Sequence, residues 1–251
     1  MSESLLKLDS VSVTFGALRA VDGVSLQVGA GERRAILGPN GAGKTTLFNA
    51  IAGEIRPSAG SVTFLGKDVT RLKPHAKAHL GIGRTYQITN LFGGLSVEDN
   101  LCLAVRGLSP RKFSLFESGR ITAAEQAVIE QALADCGMSA KRNMPIRTLS
   151  YGEQRQLELA LTLATRPRLL LLDEPAAGLS PAERGRMAEI IGALPRELTL
   201  ILIEHDMDLA LGLVDSVTCL HYGQVLVEGS PDAIRNNEQV QEIYLGKPHH
   251  A

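Results

Sequence analysis

The chain has 251 residues, 44% of them hydrophobic, with 26 Lys and Arg against 27 Asp and Glu. That is enough chain to bury a full core, and a net charge of −1 offers no broad basic face, so nucleic acid is not expected as a partner. No apolar run approaches bilayer length, and the amino terminus lacks the charged-then-apolar pattern of a signal peptide, which predicts an intracellular protein whose membrane association comes through partners.

Residues 5–64 alternate strand-like pieces, such as 10–14 and 24–28, with turns rich in Gly and Asp, and read as a small antiparallel sheet. Residues 35–37 then close a buried strand, and 46–52 form a helix stopped by Gly53. Between them lies Gly38-Pro39-Asn40-Gly41-Ala42-Gly43-Lys44-Thr45, followed by Thr46. G-x-x-x-x-G-K-[ST] in a strand–loop–helix context is a phosphate-binding loop. Its glycines let successive backbone N–H groups curl around phosphate oxygens without Cβ clashes. The helix starting near Lys44 adds its positive dipole end. Lys44 is expected to reach the β- and γ-phosphates of a nucleoside triphosphate, and the Thr45 hydroxyl to hold Mg²⁺.

Residues 74–80 read as a short helix capped by Gly81. His75 and His79 within it are four apart, but no third ligand is near, so no metal site is expected there. The pattern changes over 91–155, with one helix starting at Ser96 and another starting at Thr122 and ending at Gly137. The stretch 106–120 between them is loop-like and basic, carrying Arg106, Arg111, Lys112 and Arg120, and reads as solvated surface. Leu149-Ser150-Tyr151-Gly152-Glu153-Gln154 then opens a helix, with Ser150 as N-cap and Glu153 closing a capping box. That helix runs to about Thr165, before Pro167.

Residues 168–175 form an apolar run ending in Asp173 and Glu174, as in a buried parallel strand whose carboxyl end faces a ligand. Asp173 is expected to hold the Mg²⁺ shell and Glu174 to polarise a water in line with the γ-phosphate. Ser180-Pro181-Ala182-Glu183 is another capping box, with proline at the first helical position. Residues 198–203 read as a strand, Tyr222-Gly223 as a hairpin turn, and Ser230-Pro231 as the opening of a last helical piece. Cys102, Cys136 and Cys219 are odd in number and widely spaced, which predicts reduced thiols and no metal site.

The phosphate loop, the Ser150 segment and the acid-ended strand, in this order, resemble the Walker A, signature and Walker B motifs of the ATP-binding cassette (ABC) ATPases. The resemblance covers nearly the whole chain. It implies an α/β P-loop NTPase (RecA-like) fold with a mostly parallel sheet, an amino-terminal antiparallel β subdomain and an inserted α-helical subdomain. The whole of 1–251 would be one ABC ATPase domain, with core 1–90 and 156–251 and insertion 91–155. ATP with Mg²⁺ would be bound by Gly38 to Thr46, and Ser150 and Gly152 would supply a hydroxyl and a backbone contact to the γ-phosphate.

Further positions match the family. Thr85-Tyr86-Gln87 looks like the Q-loop, making Gln87 a contact for metal and water and a hinge toward a membrane partner. Ile203-Glu204-His205-Asp206 looks like the H-loop, with His205 on the γ-phosphate; read locally, His205 is a helix-capping histidine. Phe15 stands at the A-loop place, where a ring stacks on adenine; read locally, it is an apolar residue packed at a strand end. Two departures stand out. Tyr151 replaces the usual glycine of the signature, and Ser180 replaces the usual aspartate of the D-loop segment Ala177-Gly178-Leu179-Ser180.

In the family two cassettes pack head to tail, each signature helix capping the other's ATP. A chain with one copy of each motif then needs a second cassette, itself or a paralogue. Transmembrane permease subunits, and indirectly a solute-binding protein, are the further partners implied, with the chain peripheral on the cytoplasmic side of the plasma (inner) membrane. Leu91 and Phe92 are either a permease contact or packing within the insertion. The text of 174–179, 202–207, 233–237 and 244–246 resembles the ATPase subunits of branched-chain amino-acid importers. Importers of urea or short amides, lipopolysaccharide export and non-transport ABC ATPases are the alternatives.

Overall fold

The computed structural model describes residues 4–85, 91–107 and 121–245. In chain order, strands β1 (Ser4–Phe15), β2 (Leu18–Gly29) and β3 (Arg33–Leu37) lead to helix α1 (Lys44–Ala52). Then come β4 (Ala59–Phe64), β5 (Lys67–Asp68), α2 (Pro74–Leu80) and β6 (Ile82–Arg84). Helices α3 (Val97–Gly107), α4 (Ala123–Asp135) and α5 (Tyr151–Ala164) precede β7 (Leu169–Asp173). After it run α6 (Pro181–Ala193), β8 (Thr199–Ile203), α7 (Met207–Leu213), β9 (Ser216–His221) and β10 (Gln224–Gly229). Helices α8 (Pro231–Arg235) and α9 (Glu238–Leu245) close the described chain, so the single helical piece expected after Ser230 is two, separated at Asn236 and Asn237.

The chain forms two compact units, the first comprising Met1–Lys77, Leu171–Glu174 and Arg196–Ala251, the second Ala78–Leu170 and Pro175–Pro195. Residues 91–155, expected as a helical insertion, fall in the second unit, which also takes in β6, the first two residues of β7 and α6.

The first unit holds an antiparallel sheet in the order β2-β1-β4-β5. Residues alternate in and out along β2, where Val24, Leu26 and Val28 are buried while Ser25 and Gln27 are exposed, the two-residue period of a sheet with one wet face. Its second sheet centres on β3, flanked in parallel by β8 and β9 with Ala35 opposite Leu202 and Ile36 opposite Thr218. Every residue of β8 is buried, as expected of a parallel strand covered on both faces. The hairpin to β10 turns at Tyr222 (φ 47°) and Gly223 (φ 79°), two left-handed residues that match the strands' twist. The sheet is therefore mostly parallel with one antiparallel edge strand.

The second unit is mainly helical. α4 and α5 each begin at a complete capping box, on Thr122–Glu125 and Ser150–Glu153 respectively, and α6 begins at a third on Ser180–Glu183. Each box is where the sequence pattern puts it. Arg106, expected in a loop, closes the last turn of α3, where its charge suits the helix dipole; Arg111, Lys112 and Arg120 lie outside the described residues. Cys102, Cys136 and Cys219 are free thiols, the last two buried.

Candidate nucleotide site

The phosphate loop's shape is imposed by its neighbours. A Cβ on Gly38 would stand 2.3 Å from the Leu220 carbonyl oxygen, and one on Gly43 (φ 97°) 2.3 Å from that of Ala20. Only glycine fits at either position. The Gly223 N–H donates to the Ala42 carbonyl at 3.0 Å, tying the β9–β10 turn to the loop. Gly43 is also the N-cap of α1 and brings no side-chain cap, so the first-turn N–H groups are left to an external acceptor.

Lys44 is 6% exposed, and its ammonium donates to the carbonyls of Gly38 (2.6 Å) and Pro39 (3.1 Å). Burial lowers its pKa, while the carboxylates of Glu174 and Asp173 act the other way. A buried cation near two acids at the amino end of a helix is arranged to neutralise polyphosphate. Thr45 and Asn40 are exposed on the loop, Ala42 is buried, and Pro39 and Thr46 are half-buried.

Asp173 ends β7 and is 2% exposed. Glu174 follows in the left-handed region (φ 50°), rare for a residue with a side chain. Its N–H donates to the Ile203 carbonyl at 2.9 Å, which fixes the end of β7 against the end of β8. Two residues beyond Ile203, His205 Nε2 lies 2.8 Å from Glu174 Oε1. A carboxylate can only accept, so Nε2 carries the proton and the imidazole orients the acid. Local sequence reading gives these two residues separate roles; the direct bond between them, across 31 positions, is a finding of the fold. Asp206 rather than His205 caps α7, its carboxylate accepting from the Leu209 N–H at 3.1 Å.

Among the described residues no cluster of three or more His, Cys, Asp or Glu could hold a metal by itself. Thr45 and Asp173 offer two hard oxygen donors, a set that fits a Mg²⁺ ion held largely by phosphates and water. Gln87, the third residue expected at the metal, lies outside the described residues. Phe15 is 50% exposed at the end of β1, opposite Leu18 at 65%, so the reading of it as packed in the sheet does not hold.

Ser150 and Gly152 belong to the other unit. Ser150 accepts from the Glu153 N–H, and Glu153 accepts from the Ser150 N–H at 2.9 Å and from Lys141. Tyr151 is 45% exposed; its hydroxyl accepts from Arg155 Nε at 3.0 Å and lies 3.4 Å from the Ala177 carbonyl. Arg155 in turn pairs with buried Glu158 at 2.9 Å. Tyr151 thus joins the first turn of α5 to the segment 177–180. At the far end of α1, fully buried Lys77 donates to the carbonyls of Ala50 (3.0 Å) and Ile51 (2.8 Å), a cap with no sequence signal.

The family described as "ABC transporter" matches residues 21–177, and that described as "Branched-chain amino acid ATP-binding cassette transporter" matches residues 224–250. The chain is 37% identical to the high-affinity branched-chain amino acid transport ATP-binding protein BraF of Pseudomonas aeruginosa, over 98% of this chain and 100% of the relative. Identity and coverage are the same for LivG of Escherichia coli K12, which carries the same description. Among solved structures, the ADP conformation of MJ1267, an ATP-binding cassette of an ABC transporter, superposes with a TM-score of 0.85 at 28% identity, covering 98% of this chain and 100% of that one.

Proposed function

The chain belongs to the ABC transporter family of ATP-binding, ATP-hydrolysing subunits, and from that premise we propose that it powers the import of branched-chain or related amino acids through membrane permease partners. The relatives named for that transport, and the match of 224–250 to a family carrying its name, favour this cargo over urea, short amides or lipopolysaccharide.

The Glu174–His205 hydrogen bond is the single observation that carries the enzymatic reading. It fixes a carboxylate in the same unit as the buried Lys44 and the loop that cradles phosphate. In this reading Lys44 and the loop N–H groups of Gly38 to Thr46 hold the β- and γ-phosphates, and Phe15 stacks on adenine. Glu174 takes a proton from the attacking water, and His205, whose Nε2–H holds the acid here, turns that N–H to the γ-phosphate when ATP is bound. Thr45, Asp173 and Gln87 are the residues that would hold Mg²⁺, which when bound offsets charge on the phosphates. Ser150 and Gly152 are offered to the ATP of a second cassette, a copy or a paralogue.

No helix of the described residues is long and apolar enough to cross a membrane, which accords with a peripheral subunit at the cytoplasmic face, docked on permeases fed by a solute-binding protein. Phe92 is 59% exposed and suits that docking. The reading is tested by purifying the chain with its membrane complex and measuring ATPase activity with and without amino-acid-loaded binding protein. Stimulation by leucine-loaded protein supports it; stimulation only by another cargo would replace the substrate assignment.

A further inference from the structure

Within the second unit, the carboxylate of Glu183 sits on the amino end of the signature helix. A Cβ placed on Gly152 would meet Glu183 Oε1 at 2.4 Å, its carboxyl carbon at 2.7 Å and Cγ at 2.9 Å. The other oxygen, Oε2, accepts from the Ser180 N–H (3.0 Å) and hydroxyl (2.7 Å). One acid thus touches two helices, closing the capping box of α6 with Oε2 while Oε1 packs against the Gly152 backbone at the amino end of α5. The Ser180 hydroxyl first, then the backbone N–H groups of Ser180 and Gly152, hold its carboxyl below the usual range, so it is an anion at neutral pH.

The capping box alone needs only the Ser180 side of that carboxylate. The Gly152 N–H is the donor that, in the proposed reading, receives the γ-phosphate of a second copy's ATP. Carboxylate and phosphate are both anions drawn by one helix terminus, and both cannot occupy the space over Gly152. We propose that Glu183 is a built-in competitor at this helix terminus: its carboxylate lies over the Gly152 backbone in the unpaired chain and has to swing away for a second copy's ATP to dock. Glu183 then sets the ATP concentration at which two copies close. The contact couples the two segments that departed from the family pattern, since Tyr151 bonds Ala177 and Ser180 leads into Glu183. The inference rests on the reading that two copies pair through Gly152.

The test uses the full chain carrying Glu174→Gln, which stops turnover, and follows ATP-driven dimerisation by sedimentation at increasing MgATP. Glu183→Gln keeps an acceptor for the capping box but removes the charge. It is expected to lower the ATP concentration for half-maximal dimer by about fivefold, the scale of a charged against a neutral hydrogen bond. Glu189→Gln, an exposed acid further along α6, should not move the curve. Where Glu183→Gln fails to fold, Glu183→Asp draws the carboxylate back by one methylene and should shift the curve the same way. An unshifted curve overturns the competitor role and leaves the pairing intact. A parent that binds ATP by calorimetry yet stays monomeric overturns the pairing, and the inference with it.

Discussion

Two helix amino termini in this chain are built from opposite parts. That of α1 is capped by Gly43, which brings no side chain, and its surroundings are backbone oxygens that exclude any Cβ. That of α5 is capped by Ser150 and closed by Glu153, with the Glu183 carboxylate packed on Gly152. The first leaves its N–H groups to a ligand and is rigid by sterics. The second is satisfied internally by side chains that can rotate. A site that keeps ATP throughout a cycle needs the first design, and one that meets ATP only on closure suits the second.

The comparison breaks most sharply at Lys44. Lys44→Ala removes the one buried cation within the loop and should weaken ATP binding by about a hundredfold or more, read by titration calorimetry with Mg²⁺. A Glu174→Gln chain leaves both termini untouched; ATP should bind as before while hydrolysis falls about a hundredfold, the cost of a lost general base. Wild-type turnover in that variant would reduce Glu174 to a strand-end charge. At the other terminus, Ser150→Ala should cost about 1 kcal/mol of stability through the lost cap, visible as a thermal midpoint lower by roughly 2–4 °C. ATP affinity of the isolated chain should not change, because in the proposed reading Ser150 serves a second cassette.

A pH-dependent effect sharpens the picture of α1 from its far end. Burial lowers the Lys77 pKa from its ordinary 10.5 to about 8. Below pH 8 both folded and unfolded states carry the proton, and burying the cation is a constant cost. From about pH 8 to 10.5 the folded state releases the proton first, so stability rises with pH through that window. Denaturant titrations should show a rise of at most about 1 kcal/mol per pH unit, and Lys77→Met should flatten it.

The sequence carries the parts of this site that depend on neighbours along the chain. Gly38 to Thr46, the Asp173-Glu174 pair and the capping boxes at Ser150 and Ser180 are legible because backbone geometry over a few residues dictates their composition. Several strands are legible for the same reason, above all the apolar runs Leu169–Leu172 of β7 and Leu200–Ile203 of β8. What the sequence hides is contact between distant segments. The Glu174–His205 bond, Tyr151 reaching Ala177, Glu183 on Gly152 and Lys77 under the last turn of α1 leave no periodicity to read. Phe15 shows the limit in miniature: its ring could be packed or exposed by sequence, and the fold decides for exposure.

The central claim is that one working ATP site draws its phosphate loop from one chain and its signature from another. Mixing two inactive variants tests it directly. Lys44→Ala spoils the loop but keeps the signature, whereas Gly152→Asp keeps the loop and sets a repelling charge at the signature. With head-to-tail pairing, each mixed dimer has one intact site, and half of the dimers are mixed, so an equimolar mixture should recover about a quarter of wild-type ATPase activity under two-fold symmetry. A mixture no more active than its two components alone would contradict the account.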